Sequence, residues 1–240
     1  PRVPTCHCLE VTRTRRALIA SGKASWIRYA LWMDRLKTRG ALFIAVSEFI
    51  RKQLLENGFP SERIVVHHIG VDTKKFSPGS LDDDGKMILT VGRLVEKKGT
   101  EYLIRAFALV QKSFPETRLV IIGDGPLLSK LKKLAHYLGV GNEVVFNKSV
   151  PHVEVLTAIR RAAVFCLPSV TAKDGDSEGL GMVFAEAAAC GKPLVGTLHG
   201  GIPEVVSDNN SGFLVPERDV ELLAAKLTLL MKNRDLRKRL

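Results

Sequence analysis

The sequence predicts an α/β protein: a doubly wound parallel sheet over residues 86–240, preceded by the closing part of a second unit of the same class. Three observations carry this reading. Short apolar runs alternate with segments of helical spacing from residue 86 onward. The apolar runs are closed by glycine-containing turns. Charge is distributed differently in the first third of the chain and in the rest.

The elements follow in order. Met87-Ile88-Leu89-Thr90-Val91 reads as a buried strand ended by Gly92. A helix is expected from about Thr100, with Leu103, Ile104, Phe107 and Val110 at helical spacing, stopping before Pro115. Leu119-Val120-Ile121-Ile122 is the next strand, closed by Gly123-Asp124-Gly125-Pro126. Leu127, Leu128, Leu131, Leu134 and Leu138 then mark a helix that Gly139 would cap. Val144-Val145-Phe146, Val164-Phe165-Cys166-Leu167 and Pro193-Leu194-Val195 continue the rhythm. Strands separated by helices imply right-handed crossovers and a parallel sheet.

Residues 1–72 offer three strand candidates, at 2–7, 41–46 and 64–68, too few for an open α/β domain of usual size. Residues 76–85 are polar and rich in breakers. The expected organisation is therefore the end of one domain over 1–75, a linker over 76–85 and a nearly whole domain over 86–240. The start without methionine suggests a truncated chain, and a closing helix is expected beyond residue 240.

Composition narrows the class. The chain of 240 residues is 45% apolar and 25% charged, a globular balance. No run approaches the roughly 18 apolar residues of a spanning helix. Four cysteines make no disulfide framework, which favours a reducing, cytoplasmic location. The net charge is +11, of which residues 1–80, with 14 basic and 6 acidic side chains, hold +8. Residues 10–40 carry eight bases against Glu10 and Asp34, together with Trp26, Tyr29 and Trp32. An anionic membrane surface fits that pattern, such as the cytoplasmic face of an inner membrane. So does a solvated helix whose aromatics pack inward. No nucleic-acid motif accompanies the bases.

In such sheets ligands sit beyond the carboxyl ends of the strands. Gly92-Arg93-Leu94-Val95-Glu96-Lys97-Lys98-Gly99 is one such loop, with bases able to meet a phosphate. The loop 171–181 enters an alanine-rich helix that holds Glu186. A buried carboxylate there requires a partner or a ligand. Glu178 lies eight residues earlier, about 12 Å away along the axis if both are helical. That exceeds the roughly 5–9.5 Å of paired glycoside hydrolase carboxylates. Two hydroxyl acceptors flanking a helix N-terminus that favours an anion match the layout of a nucleotide-sugar.

The motifs resemble those of retaining GT-B glycosyltransferases of family 4, the "glycosyl transferases group 1" set. The matching pieces are Gly92-Arg93 with Lys98-Gly99, Gly123-Asp124-Gly125-Pro126, and Glu178 through Ala187. Gly200-Gly201-Ile202-Pro203-Glu204 and Gly212-Phe213-Leu214-Val215-Pro216 follow in the family's order. Ala45-Val46-Ser47-Glu48 and Ile69-Gly70-Val71-Asp72 match the approach to its interdomain linker, and the 171–181 loop is like that of bacterial exopolysaccharide, colanic-acid-type members. The resemblance implies two Rossmann-like domains facing a cleft. It also implies transfer of a hexosyl unit, without metal, from a UDP-sugar, or secondly a GDP-sugar, to a lipid-linked or saccharide acceptor.

By the same resemblance, Arg93 and Lys98 bind the donor diphosphate, Glu178 the sugar hydroxyls and Glu186 the ribose. Gly92 and the backbone of Gly181, Met182 and Val183 meet the phosphates, and Val150 borders the nucleobase. His7 faces the sugar across the cleft, although Cys8 replaces the family's glycine after it. Asp174-Gly175-Asp176 spells an Asp-x-Asp sequence but reads as loop chemistry, and Cys6-His7-Cys8 lacks a second ligand pair. The alternative to an enzyme is a non-catalytic nucleotide-binding or interaction module. An NAD-linked enzyme is a third reading, and the sequence speaks against it because no Gly-x-Gly-x-x-Gly follows a strand.

Overall fold

The computed structural model describes residues 24–39, 42–79 and 85–240. The expected strand at 2–7, with Cys6 and His7, lies outside the described residues, as do Cys8 and residues 80–84, half of the breaker-rich run at 76–85.

The first unit comprises α1 (Ala24–Arg39), β1 (Phe43–Ala45), α2 (Glu48–Glu56) and β2 (Ile64–Val66). β1 and β2 pair in parallel with Phe43 opposite Ile64. Both are shorter than the apolar runs that predict them. Ser47 caps α2, its hydroxyl accepting the N–H of Ile50 at 3.1 Å. Phe43, Val46, Ile50, Leu54 and Phe59 form a small core, into which Leu180 of the second unit inserts. The two units thus share apolar packing beside the loop that carries Glu178.

The second unit is a six-stranded, all-parallel sheet of β3 (Met87–Val91), β4 (Arg118–Ile122), β5 (Val144–Asn147), β6 (Val164–Leu167), β7 (Leu194–Thr197) and β8 (Gly212–Val215). The spatial order is β5-β4-β3-β6-β7-β8, with Met87 opposite Arg118 and Ile88 opposite Val164. The strand order reverses between β3 and β6, which is where a doubly wound sheet opens a crevice.

Pleating sorts the strand residues between two cores. Ile88, Leu119, Ile121, Val164 and Cys166 face one side, with α3 (Thr100–Ser113), α4 (Leu128–Tyr137) and α7 (Val220–Lys232) packed on them. Met87, Leu89, Val120, Ile122, Phe165 and Leu167 face the other, beneath α5 (His152–Arg161) and α6 (Met182–Ala189). A short α8 (Arg234–Arg239) follows α7. Cys166 and Cys190 are buried free thiols, both pushed to higher pKa by burial.

The segment read as a linker begins in the core. Phe76 is buried with the second cluster, its ring edge-on to His152 at 5.1 Å, and Arg160 Nε donates to Ser77 O at 3.0 Å. One aromatic anchors a stretch whose composition otherwise reads as solvated. Among the described residues no helix is long and apolar enough to cross a membrane.

Candidate active site

Both glycine-containing loops predicted to carry chemistry leave strands on either side of the reversal point. The loop after β3 contains Arg93, Lys97 and Lys98; the long loop after β6 leads through Glu178 to α6. Between them, and closed on the far side by Val46, Ile50 and Ile69 of the first segment, lies a cavity of about 560 Å³. Gly92, Arg93, Lys98, Glu178, Gly181, Met182, Val183 and Glu186 all line it. Val150 does not; it packs partly buried against the core cluster beneath α5.

Glu178 is not helical. α6 starts at Met182, after Gly181 at φ 81°, so the Glu-x7-Glu spacing spans a loop and a two-turn helix. The axial separation computed for one continuous helix therefore does not apply. What replaces it is a set of side-chain pairings. Lys98 Nζ lies 2.5 Å from Glu178 Oε2. Lys97 Nζ donates to Asp176 Oδ1 at 2.9 Å and to Ser177 O at 3.2 Å, tying the two loops together. Asp176 of the Asp-x-Asp sequence is thus engaged by a lysine. Arg93 is exposed at the cavity wall and makes no ion pair among the described residues.

Glu186, amid alanines on α6, meets its partner in His152, whose Nε2 lies 3.3 Å from Oε1. His152 Nδ1 is 3.1 Å from Lys75 Nζ, so the histidine bridges the interdomain segment to the carboxylate. At the start of α6 the Phe184 N–H donates to Gly181 O at 2.8 Å, while the N–H groups of Met182 and Val183, both cavity-lining residues, have no intrahelical acceptor.

Several residues at the site were not singled out from the sequence. Glu204 accepts from Glu48 N–H at 2.8 Å and Phe49 N–H at 3.1 Å, capping α2 from the other unit, and lies 2.9 Å from His68 Nε2. Burial pushes the Glu204 carboxyl up, but these hydrogen bonds outweigh it and hold the group below the usual carboxylate value. Ser47 Oγ donates to Gly179 O at 2.6 Å. Buried His199, partly buried Glu217 and exposed Thr171 form a further network behind Glu178. The only local signal was position: Glu204 and His199 fall within or beside the Gly-Gly-Ile-Pro-Glu motif.

A parallel sheet with basic and acidic groups facing a cleft at its reversal point is a doubly wound α/β domain with its ligand crevice lined by charge. The comparisons assign it further. The model for "Glycosyl transferases group 1" matches residues 71–240, and that for "Glycosyltransferase Family 4" matches residues 1–75, so the chain belongs to the group 1 glycosyl transferases. It is 38% identical over 196 residues to WcaL of Escherichia coli (strain K12), whose name assigns it to colanic acid biosynthesis. That match covers 81% of this chain and 48% of WcaL. A GDP-mannose-dependent phosphatidylinositol monomannoside mannosyltransferase of Mycolicibacterium smegmatis is 36% identical, over 78% of this chain and 52% of that protein. The chain spans about half the length of the curated relatives it matches. In fold it is similar to Anabaena Alr3699/HepE, solved with UDP and glucose, at TM-score 0.78 and 21% identity over 92% of this chain and 61% of that one.

Proposed function

We propose that the chain binds a nucleotide-sugar and transfers its hexosyl unit to a hydroxyl of a lipid-linked saccharide or polysaccharide, retaining configuration and using no metal. The observation that carries this is the convergence of Arg93, Lys98, Glu178, Glu186 and the start of α6 on one cavity at the reversal point. In the step, the bond from the anomeric carbon to the phosphate oxygen breaks, and the acceptor oxygen bonds to the same face. The acceptor proton leaves with the diphosphate. Arg93 and Lys98 offset the charge developing on that leaving group, which is the largest electrostatic demand of the reaction. The N–H groups at Gly181, Met182 and Val183 suit the phosphate, Glu178 the sugar hydroxyls and Glu186 the ribose. UDP and GDP are the donor bases suggested by the solved neighbour and by the mannosyltransferase relative.

Calorimetric titration with UDP, GDP and ADP, followed by donor hydrolysis, tests the reading. One diphosphate binds, and Lys98→Ala and Glu186→Ala each weaken it. No binding, or native affinity in both variants, overturns the assignment. Binding with no donor turnover would favour the non-catalytic alternative.

An anionic membrane is the proposed surface for the acceptor. On α1, Arg28, Leu31, Trp32 and Arg35 share one exposed face at helical spacing, with Leu31 53% and Trp32 45% exposed. Met33 turns the other way into the core. An apolar pair flanked by bases suits an anionic interface, at about 1 kcal/mol per basic residue. The chain should sediment with phosphatidylglycerol vesicles at low salt, and Trp32→Ser with Arg35→Glu should reduce this. Equal sedimentation with neutral vesicles would count against it.

A further inference from the structure

His199 is 4% exposed, and its two ring nitrogens have different partners. Nε2 accepts the backbone N–H of Glu178 at 3.0 Å, and Nδ1 lies 2.6 Å from Glu217 Oε1. An imidazole that accepts at Nε2 and faces a carboxylate at Nδ1 is neutral and carries its proton on Nδ1; the partners assign the tautomer. Glu217 is itself fixed, accepting from Thr171 N–H at 2.9 Å and from Thr171 Oγ1 at 3.1 Å, with Arg218 Nη1 at 3.0 Å.

The residues after His199 complete the grip. Gly201 N–H donates to Glu178 O at 3.1 Å. A Cβ at Gly200 would stand 2.1 Å from that same oxygen, so only glycine lets the two backbones approach. Both backbone polar groups of Glu178 are therefore held by the segment 199–201, while its side chain reaches Lys98 at the cavity wall.

We propose that His199 and Glu217 are positioning residues for Glu178. Glu217 orients a neutral imidazole, and the imidazole fixes the Glu178 backbone so that its carboxylate is presented to the sugar end of the donor. Neither residue lines the cavity. The functional consequence rests on the proposed role of Glu178, whereas the dyad stands on geometry alone, and the experiments separate the two.

In the native chain, nitrogen-15 NMR of the histidine side chains at neutral pH should show His199 as the Nδ1–H tautomer. An Nε2–H tautomer or an imidazolium would overturn the dyad. In His199→Ala, the Glu178 amide loses its acceptor and should exchange with solvent at least about tenfold faster. In His199→Gln, whose amide oxygen can replace Nε2, most of the protection should return. If His199→Ala does not fold, Glu217→Leu gives the answer instead: without the carboxylate that orients the ring, the Glu178 amide should also exchange faster. Unchanged exchange in the folded variant overturns the proposal. For function, titration with UDP and with UDP-glucose should give a split: His199→Ala weakens the sugar nucleotide more than UDP, and His199→Gln restores it. Equal weakening of both would reduce the dyad to a structural role. Failure of the native chain to bind either nucleotide would remove the reading of the site and leave the exchange result to decide the dyad.

Discussion

Lys98 Nζ and Glu178 Oε2 stand 2.5 Å apart, with side chains only 16% and 13% exposed. The residue proposed to neutralise a diphosphate is therefore already neutralised by the residue proposed to bind the sugar. A mostly buried pair of this kind is costly to break from one side, because the survivor is left uncompensated. The pair joins the loops that follow β3 and β6, so it also sets the width of the cavity mouth between them.

Opposite effects on UDP affinity follow for the two halves of this pair. Lys98→Ala removes a charge-assisted contact to phosphate, worth about 1.5–3 kcal/mol, and should weaken UDP by roughly 10- to 100-fold. Glu178→Gln releases Lys98 from its competitor, and UDP without sugar should bind as well as before or a few-fold tighter. Calorimetry on both variants checks this. Equal loss in both would mean that the pair acts only as a structural clip.

Glu204 makes a second prediction, at the junction of the two units. Its carboxylate caps α2 from 156 residues away, and loss of such a cap costs about 0.5–2 kcal/mol. Glu204→Ala should speed exchange of the Glu48 and Phe49 amides by roughly 2- to 30-fold while leaving amides of β3 and β4 unchanged. Uniform acceleration across the sheet would show instead that the whole domain had been loosened.

These two contacts also mark the limits of what sequence conveys. Met87–Val91 and Val164–Leu167 were legible as strands to the residue, because apolar runs of four or five residues rich in β-branched and aromatic side chains, closed by Gly92 and Pro168, are too short for a helix. The start of α3 at Thr100 and the turn at Gly139 followed from equally local signals. The strands at 43–45 and 64–66 were placed but overextended, since their flanking residues are apolar without joining the ladder. The cavity loops were found because a parallel sheet fixes where its ligand crevice lies. His199, Glu217 and Glu204 were not, because their roles depend on partners 18 to 156 residues distant that leave no local pattern. Glu178 was placed in register with a helix that begins only at Met182, since a loop and a first turn look alike in spacing.

Acid should undo part of this network. Burial raises the Glu217 carboxyl, but hydrogen bonds from Thr171 N–H and the His199 ring outweigh it, and the group is held below the ordinary glutamate value. Glu204 behaves likewise. A depressed folded pKa gives stability that is complete above the unfolded value, about 4.3, and is lost as pH falls through the folded one. Urea unfolding of the native chain and of Glu204→Gln/Glu217→Gln should differ most near pH 6–7 and converge below about pH 4. A gap that stays constant down to pH 3 would contradict the linkage.

Two glycines with nearly the same backbone angle should respond very differently to alanine. Gly99 (φ 63°) sits between Lys98 and α3, and a Cβ there would lie 1.7 Å from Pro168 O. Gly139 (φ 73°) follows α4, and nothing stands within 4 Å of its added Cβ. Both substitutions incur the left-handed penalty of roughly 1–2 kcal/mol. Only Gly99→Ala adds a backbone clash, about 1–3 kcal/mol more, which must be relieved by moving the 93–99 loop away from the strand end that carries Pro168. Gly139→Ala should therefore lower the thermal midpoint by about 2–8 °C and leave UDP binding intact. Gly99→Ala should lower it further and weaken UDP as well, because the same movement carries Lys98 away from Glu178. Thermal scans paired with calorimetry separate the two, and native UDP affinity in a folded Gly99→Ala chain would show that the loop does not hold the phosphate-binding lysine in place.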